Sequence, residues 1–339
     1  MKHLFKIQEK IVPELISLAE LRYTILRNIY YNQPIGRRSL ANRVNKSERR
    51  VRNELEFMRS RDLIEVSRAG ARLTPVGETF LVELDDYIKV IKNITKLEER
   101  LKKILGLDQV LVVPKNLVRK SIRRELGRFT SRFIKDLLQD GDILAVTGGS
   151  TLAEVAQSMQ KDDKKEVMVV PGRGGLGEEV EIQANTIAAR IAKKLGGHYS
   201  LLHIPDNIKQ ENIEHLITEP SIEKTLEQLY QANVLLHGVG NAEKMAERRN
   251  MTDGQINELI AEGAIGEAFG YYFNSSGEIV YSTTSVGLSL NQLPDIDKVI
   301  AVAAGEGKAE AIVAAVSARY QDILITGEET AREIIDLTS

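Results

Sequence analysis

The chain has 339 residues, of which 42% are hydrophobic, a formal net charge of −2 and no cysteine. This length predicts two domains, and the lack of cysteine excludes disulfides, thiolate nucleophiles and cysteine-ligated zinc, which favours a reducing compartment, the cytoplasm by default. The N-terminus has dispersed charges instead of an apolar signal, and no window approaches about 18 apolar residues, so neither export nor a membrane span is expected.

The positive charge is concentrated at the N-terminal end. Residues 1–89 contain 17 Lys and Arg against 12 Asp and Glu, and residues 37–52 contain seven basic residues and one acidic residue. Such a run is often only a solvated face, but it is also the electrostatic mark of nucleic-acid binding. The elements around the run favour the second interpretation.

Three helices are predicted in this basic region. Residues 13–31 place apolar residues at helical spacing. A second helix is expected to be capped by Ser39 and to run through Val44, and a third to be capped by Ser47. In the third helix the residues expected to face inward are Val51, Leu55 and Met58. The first turns of that helix then present basic residues outward, as a recognition helix does.

Two short strands, 63–66 and 71–73, follow around a turn that contains Arg68. Helix, helix, turn, basic helix and hairpin in this order predict a winged helix-turn-helix that binds operator DNA. Arginine can pair with guanine and asparagine with adenine, whereas other cations meet phosphates. The candidate DNA-binding residues are Arg37, Arg38, Lys46, Arg49, Arg50, Arg52, Asn53 and Arg68.

A connecting helix is predicted over residues 81–107, between a DNA-binding domain at 1–80 and a larger domain at 108–339. Its apolar residues from Ile88 to Ile104 recur every three or four positions. Two interpretations stay open: the helix lies on its own domain, or it also packs on a partner subunit in a homodimer or homotetramer.

From Leu107 onward, short β-rich runs alternate with helical runs, which predicts a parallel sheet in a doubly wound α/β domain. The predicted strands are Gln109–Val113, Ile143–Val146, Val167–Val170, Tyr199–Ile204, Val234–Gly238, Val299–Ala303 and Ile323–Thr326. A hairpin is also expected, with strands 271–273 and 279–281.

Residues 146–156, VTGGSTLAEVA, follow one of these strands and predict an anion cradle at a helix N-terminus. Glycine lets the backbone approach a ligand, and the unpaired amides of the first helical turn attract negative charge. Other glycine-rich turns and the cations Arg173, Arg248 and Lys308 also follow strands. Each turn alone is ordinary, but the set at one sheet edge indicates a polyanion with one or two phosphates.

Catalysis has little support in the sequence. The GGST turn lacks the lysine of a P-loop, no G-x-G-x-x-G follows the first strand, and the histidines form no metal-binding pair. Glu267 is better suited to accept hydrogen bonds from sugar hydroxyls than to act as a general base. We therefore expect neither a catalytic residue nor a metal nor a cofactor.

Several strings resemble the SorC/DeoR family of bacterial sugar-responsive transcription regulators over nearly the whole chain. They are PIGRRSLA, SERRVRNEL, AVTGGST, PGRGGLGE, QANTI, AERRN, EAFGYYFN and KAEAI. The resemblance implies a repressor of a glycolytic operon whose effector domain is similar to glucosamine-6-phosphate deaminase and ribose-5-phosphate isomerase. It also implies that fructose 1,6-bisphosphate is the effector.

The same resemblance implies roles for individual residues. Gly148, Gly149, Ser150 and Thr151 would cradle one phosphate near Lys308, and Ser150 replaces a threonine of the family motif while keeping a hydroxyl. The remaining phosphate and the sugar hydroxyls would be bound by Arg173, Gln183, Arg248 and Glu267. A regulator that senses a monophosphate, such as a pentose phosphate, and a sugar-phosphate enzyme are the alternatives.

Overall fold

The structure, a computed structural model, describes residues 11–115, 122–162, 166–175, 179–204 and 210–339. The chain forms two compact units, and the division between them falls between Lys96 and Leu97. This division lies within the segment that the sequence predicts as a connection. Within the described ranges, no helix is long and apolar enough to cross a membrane.

The first unit is a winged helix-turn-helix. Its elements are the helices α1 (Pro13–Asn32), α2 (Arg37–Val44), α3 (Glu48–Ser60) and α4 (Pro75–Ile91) and the strands β1 (Ile64–Ser67) and β2 (Gly70–Leu73). Val51, Leu55 and Met58 of α3 are buried, as predicted, in a core shared with α1 and α2. Burial of this apolar face, more than helix propensity, stabilises the three helices.

The helix starts differ in one respect from the prediction. The Ser47 side chain caps α3 by accepting a hydrogen bond from the Arg50 amide at 3.2 Å. The expected cap at Ser39 is wrong, because α2 begins earlier, at Arg37. Gly36 is extended and its carbonyl accepts from the Leu40 amide at 2.9 Å, so Ser39 already lies inside the helix.

The β1–β2 hairpin is attached to the segment between α1 and α2. Ile35 and Ala71 exchange two backbone hydrogen bonds, of 2.9 and 3.1 Å. Gly70 has a φ of 131°, and a Cβ there would lie 2.6 Å from the Ile35 carbonyl carbon. Glycine is therefore required where the wing approaches this segment.

The single helix predicted over 81–107 is wrong, because two helices occupy this region: α4 and α5 (Ile94–Leu105). Asn93 interrupts them with a φ of 57°, a left-handed conformation that asparagine tolerates better than most residues. Helical periodicity continues across the break, which is why the sequence pattern did not show it. In α5, the Glu98 carboxylate accepts a hydrogen bond from the Val112 amide at 2.9 Å.

The second unit is built on a seven-stranded parallel sheet in the order β3–β13–β12–β7–β4–β5–β6. The strands are β3 (Gln109–Val113), β4 (Ile143–Val146), β5 (Met168–Pro171), β6 (His198–Tyr199), β7 (Val234–Gly238), β12 (Lys298–Val302) and β13 (Ile323–Gly327). Its helices are α6 (Ile122–Leu137), α7 (Ser150–Ser158), α8 (Ala184–Leu195), α9 (Gln210–Ile217), α10 (Pro220–Tyr230), α11 (Ala242–Arg248), α12 (Asp253–Ala261), α13 (Ala309–Ser317) and α14 (Glu328–Leu337).

The predicted strands agree with the sheet except at Tyr199–Ile204. There only His198 and Tyr199 pair with β5, and the prediction is wrong for the residues after them. The Asn185 side chain instead bonds both the amide and the carbonyl of Leu202, at 2.9 and 3.1 Å. The Asn185 side chain thus replaces the backbone hydrogen bonds of the sheet in this segment, and the strand ends at Tyr199.

Between β7 and β12 the chain forms a four-stranded antiparallel sheet in the order β11–β10–β9–β8. Its strands are β8 (Gly240–Asn241), β9 (Gly266–Ala268), β10 (Tyr271–Phe273) and β11 (Ile279–Ser282). The predicted hairpin is confirmed as β10–β11, whereas the two- and three-residue strands β8 and β9 are too short for a sequence pattern. This insertion brings Glu267 beside Gly240, directly after β7.

The strand order reverses at β4, which lies between β5 and β7. The chain proceeds from β4 through β5 and β6 in one direction, then returns to β7 and proceeds in the other. In parallel sheets, the carboxyl ends of strands beside such a reversal leave a crevice that holds ligands.

Candidate ligand pocket and nucleic-acid face

A pocket lies in this crevice, at the carboxyl ends of β4, β5, β7 and β12. The space within it, including the part open to solvent, is about 800 Å³. Its walls contain Thr147, Gly148, Gly149, Ser150, Thr151, Leu152, Arg173, Gly174, Ile182, Ala184, Gly238, Val239, Gly240, Met245, Arg248, Arg249, Glu267, Phe269 and Lys308. Eight of the nine effector-binding candidates named from the sequence therefore line one pocket.

The turn before α7 forms the floor of the pocket. Gly149 has a φ of 123° and directly precedes the first helical residue, Ser150. The Gly149 amide donates to the Ile182 carbonyl at 2.8 Å, and a Cβ on Gly148 would lie 2.9 Å from the same oxygen. The amides of Ser150, Thr151 and Leu152 belong to the first helical turn and have no intrahelical acceptor. Together with the helix dipole they form an anion cradle.

Lys308 also lines the pocket and is mostly buried. Its Nζ donates to the Val239 carbonyl at 2.8 Å. Burial lowers the pKa of Lys308 to about 8; Glu267 opposes this shift, whereas Arg248 and two further cations reinforce it. A bound anion would favour the charged lysine and reverse the shift.

Glu267 is buried and already has partners. Its Oε1 accepts from Arg249 Nη2 at 2.9 Å and from the Gly270 amide at 2.6 Å. Arg249 Nη1 also donates to the Tyr272 hydroxyl at 3.0 Å, and burial raises the pKa of Tyr272 to about 12. The expected contact with sugar hydroxyls is thus restricted to Oε2, which lies beside Gly240 in the pocket wall.

Arg173 is held by the antiparallel insertion. Its Nη2 donates to Thr283 Oγ1 at 2.9 Å. Gly270 and Gly287, both at positive φ, leave no room for a side chain: a Cβ on Gly270 would lie 1.9 Å from Arg173 Nη1, and one on Gly287 would lie 2.5 Å from the Arg173 Cα. The guanidinium is therefore positioned before any ligand arrives.

Gln183 is the candidate that the structure places apart from the pocket wall. It is the N-cap residue of α8, between the lining residues Ile182 and Ala184. A Cβ on Gly175 would lie 2.6 Å from its Oε1, so the side chain is directed toward that turn. Residues 176–178 of the predicted glycine-rich motif lie outside the described part of the chain.

Sequence reasoning missed Arg249 and Thr283. Arg249 is adjacent to Arg248 in the chain, but Arg248 is exposed and Arg249 is buried. Two consecutive arginines in a sequence do not reveal this difference. Thr283 lies in no motif. His237, near the pocket, is fully buried, and burial lowers its pKa to about 4, so it stays neutral.

All eight DNA-binding candidates are exposed on the first unit. Three of them form ion pairs: Arg37 with Glu48 at 3.5 Å, Arg50 with Glu54 at 3.0 Å and Arg52 with Glu56 at 2.8 Å. The Arg37 and Arg52 pairs are exposed on both sides, so they are weak and can open to a phosphate or a base. The remaining five are Arg38, Lys46, Arg49, Asn53 and Arg68.

Glu54, which the sequence did not single out, connects α1 to α3. Its carboxylate is buried and accepts from Arg22 Nε at 2.9 Å while it pairs with Arg50. The Arg22 guanidinium also lies 3.6 Å from the centroid of the Phe57 ring. A buried carboxylate shared by two arginines fixes the direction of Arg50 from α3.

Two family profiles together match most of the chain: "Putative sugar-binding domain" over residues 89–336 and "CggR N-terminal DNA binding domain" over residues 18–88. The central glycolytic genes regulator of Priestia megaterium (strain DSM 319 / IMG 1521) is 42% identical, over 99% of each chain. The protein of the same name from Bacillus subtilis (strain 168) is 38% identical, again over 99% of each.

Solved structures also resemble this chain, among them the two described next. One, "the putative SorC family transcriptional regulator from Enterococcus faecalis", has a TM-score of 0.65 and 36% identity, over 71% of this chain and 99% of that one. The full-length sorbitol operon regulator SorC from Klebsiella pneumoniae has a TM-score of 0.68 over 96% of this chain and 99% of that one. At 18% identity the latter shares the fold alone.

Proposed function

Since the chain belongs to the SorC/DeoR family, and is a sugar-sensing transcription regulator rather than an enzyme, we propose that it represses a glycolytic operon and that fructose 1,6-bisphosphate weakens its binding to the operator. The two relatives named central glycolytic genes regulator, similar along almost the whole chain, support the choice of operon. The predicted likeness of the sensor domain to sugar-phosphate isomerases and deaminases stays a prediction.

The observation that carries the proposal is the joining of a helix N-terminal cradle with three cations in one pocket. Gly148 to Thr151 enter from the end of β4, Arg173 from β5, Arg248 from α11 and Lys308 from the end of β12. Neutral sugars need hydroxyl acceptors and donors, whereas this set of amides and cations suits phosphate. A phosphosugar is therefore the ligand class that the pocket fits best.

In the proposed complex, the amides of the α7 turn and the hydroxyls of Ser150 and Thr151 bind one phosphate. Lys308, which lines the same pocket, supplies a positive charge that burial otherwise disfavours. Arg173 and Arg248 are available to the remaining phosphate. Glu267 Oε2 accepts a hydrogen bond from a sugar hydroxyl. Gln183, the N-cap residue of α8, also binds the ligand in this proposal.

Control of operator binding by the ligand requires that the ligand bind two forms of the protein unequally, because equal affinity shifts no equilibrium. In our proposal the winged helix-turn-helix reads two operator half-sites in a homodimer or homotetramer. The bisphosphate binds more tightly to the form that holds DNA less well. The segment 81–107 then transmits the difference between the domains.

A thermal-unfolding experiment tests the sensor. The purified chain is heated with fructose 1,6-bisphosphate, glucose 6-phosphate, ribose 5-phosphate or inorganic phosphate. A ligand at about 100 times its Kd should stabilise the folded state by roughly 2.7 kcal/mol. We expect the largest shift with the bisphosphate, and its loss in Lys308→Ala.

A larger shift with ribose 5-phosphate would retain the regulator but reassign its pathway.

Fluorescence anisotropy with labelled operator DNA then tests the output. The bisphosphate should raise the Kd for operator, whereas Lys308→Ala should bind operator equally well with or without ligand. If a ligand clearly stabilises the protein but leaves the Kd for operator unchanged, the proposed control of operator binding by the ligand is contradicted.

A further inference from the structure

Arg50 is held at two points in the first turn of α3. Its amide donates to the Ser47 hydroxyl at 3.2 Å, and its guanidinium forms an ion pair with Glu54 at 3.0 Å. The Glu54 side chain is only 5% exposed, whereas that of Arg50 is 50% exposed. One part of the guanidinium is thus fixed against the protein, while half of the side chain stays open to solvent.

Arg22, on α1, holds the other oxygen of the same carboxylate. Its Nε donates to Glu54 Oε2 at 2.9 Å, while Arg50 pairs with Oε1. The Arg22 guanidinium also lies 3.6 Å from the centroid of the Phe57 ring, one turn farther along α3. Two contacts of different kinds therefore connect Arg22 to the recognition helix. Arg22 balances the charge of the buried carboxylate even when Arg50 contacts DNA.

The Arg52–Glu56 pair has the same spacing on the same helix but a different environment. Arg52 Nε lies 2.8 Å from Glu56 Oε1, and the two side chains are 63% and 62% exposed. An exposed pair of this kind contributes little to stability and opens readily. Arg52 can therefore take many directions, whereas Arg50 is restrained to one.

A restrained guanidinium suits a base better than a phosphate. Guanine presents O6 and N7 in one plane and accepts two N–H donors in one orientation, whereas a phosphate accepts a cation from many directions. The negative charge of Glu54 also reduces the attraction of Arg50 for phosphate, so what the pair contributes is direction. The first turns of a recognition helix are the part that contacts base edges.

We propose that Arg50 reads a guanine in each operator half-site, and that Glu54 and Arg22 are positioning residues for this contact. The inference rests on the proposed operator binding. It gives α1 a role in sequence recognition, although none of the DNA-binding candidates lies on that helix. Arg52, which has no buried partner, serves for comparison.

Binding-site selection from a random DNA library, with the full chain, first defines the operator sequence. Fluorescence anisotropy then measures the Kd of each variant for this operator, for its single base-pair substitutions and for random-sequence DNA. The variants are Arg50→Ala, Glu54→Gln and Arg22→Gln. The matched control is Glu56→Gln, which removes a carboxylate charge from the exposed pair on the same helix.

In the unsubstituted protein, we expect replacement of one G·C pair per half-site to raise the Kd about tenfold or more. Arg50→Ala should lose this preference, and Glu54→Gln and Arg22→Gln should reduce it to about threefold or less at the same base pair. Glu56→Gln should keep it. Glu54→Gln should bind random-sequence DNA as tightly as the unsubstituted protein or more tightly, because it removes a negative charge beside the recognition helix.

A base preference that survives in both Glu54→Gln and Arg22→Gln would overturn the positioning role. An equal loss of affinity for operator and random-sequence DNA in these variants would overturn it too, since it would show a purely structural role. Thermal unfolding establishes that each variant is folded, and Arg22→Gln, at a partly exposed position, keeps the test decisive if Glu54→Gln is unstable.

Loss of the preference in Glu56→Gln as well would assign the effect to the general charge of α3 and contradict the inference. If Arg50→Ala changes the preference at no base pair, another residue reads the operator and the inference fails while operator binding stands. If the selection yields no preferred sequence, the proposed operator binding itself fails.

Discussion

Gly149 is the residue on which the geometry of the cradle depends. Its φ of 123° is strained for any residue with a side chain, although a Cβ there would meet no atom within 4 Å. Gly149→Ala should therefore destabilise the fold through backbone strain alone, by roughly 1–3 kcal/mol, and should reorient the amides that face the ligand. Chemical denaturation measures the first effect and calorimetry the second. An alanine variant with unchanged stability and affinity would show that this conformation is not required.

Lys308 should make ligand affinity depend on pH. In the free protein its pKa is about 8, because burial disfavours the charge. A bound phosphate favours the charged form and raises the pKa, so binding takes up a proton above pH 8. Affinity for the bisphosphate should fall as the pH rises from roughly 7.5 to 9.5, where the phosphates themselves no longer titrate.

Calorimetry across this range, in buffers of different ionisation heat, measures both the affinity and the proton uptake. Lys308→Arg keeps a charge at every pH and should show a much flatter profile. An equally steep profile in that variant would assign the dependence to another group.

Thr283 positions Arg173 and touches no ligand in our proposal. Thr283→Val preserves shape but removes the hydroxyl that accepts from Arg173 Nη2. We expect the Kd for ligand to rise roughly two- to tenfold, because the variant loses the bond from Arg173 together with the 3.3 Å bond from the hydroxyl to the Gly270 carbonyl. Thr283→Ser restores the hydroxyl and should restore the affinity. If the serine and valine variants have the same Kd for ligand in calorimetry, then packing, and not the hydrogen bond, fixes the position of Arg173.

At the scale of elements, α3 combines an exposed basic side with a buried carboxylate. Arg50→Ala and Arg52→Ala should each weaken operator binding, by roughly 1–3 kcal/mol if they contact bases. Arg50 is also paired with the buried Glu54, so its loss leaves that carboxylate to Arg22 alone. Arg50→Ala should therefore also lower the stability of the first unit, and Arg52→Ala should not.

Anisotropy with operator DNA and thermal unfolding separate the two effects. Arg38→Ala serves for comparison, since loss of a phosphate contact lowers affinity for all sequences and reduces the slope against log salt by about one. Full operator affinity in the Arg50/Arg52 double variant would remove α3 from the recognition surface.

At the scale of the whole molecule, α5 is the element whose residues belong to both compact units. Glu99 is exposed within it, and Glu99→Pro should break the helix by removing an amide donor and clashing with the preceding turn. We expect the variant to bind operator and bisphosphate separately but to lose the effect of one on the other. Glu99→Ala is the matched control. Intact ligand control of operator binding in the proline variant would exclude α5 from the coupling.

The sequence by itself determined the order of elements, the winged helix-turn-helix and the strands of the parallel sheet. Periodicity, caps and glycine turns are local signals, so they identify a Ser47 cap or the turn at Gly148 and Gly149 without knowledge of distant residues. Eight of the nine effector-binding candidates also line the pocket, because the carboxyl ends of parallel strands lie at one edge of the sheet.

The tertiary structure alone decided which side chains meet. Glu267 pairs with Arg249, Arg173 with Thr283, and Glu54 with Arg22, across 18, 110 and 32 positions of the chain. The break at Asn93 and the short strand at Tyr199 were also decided there. Burial and partnership depend on contacts between distant segments, and a local pattern carries no information about them.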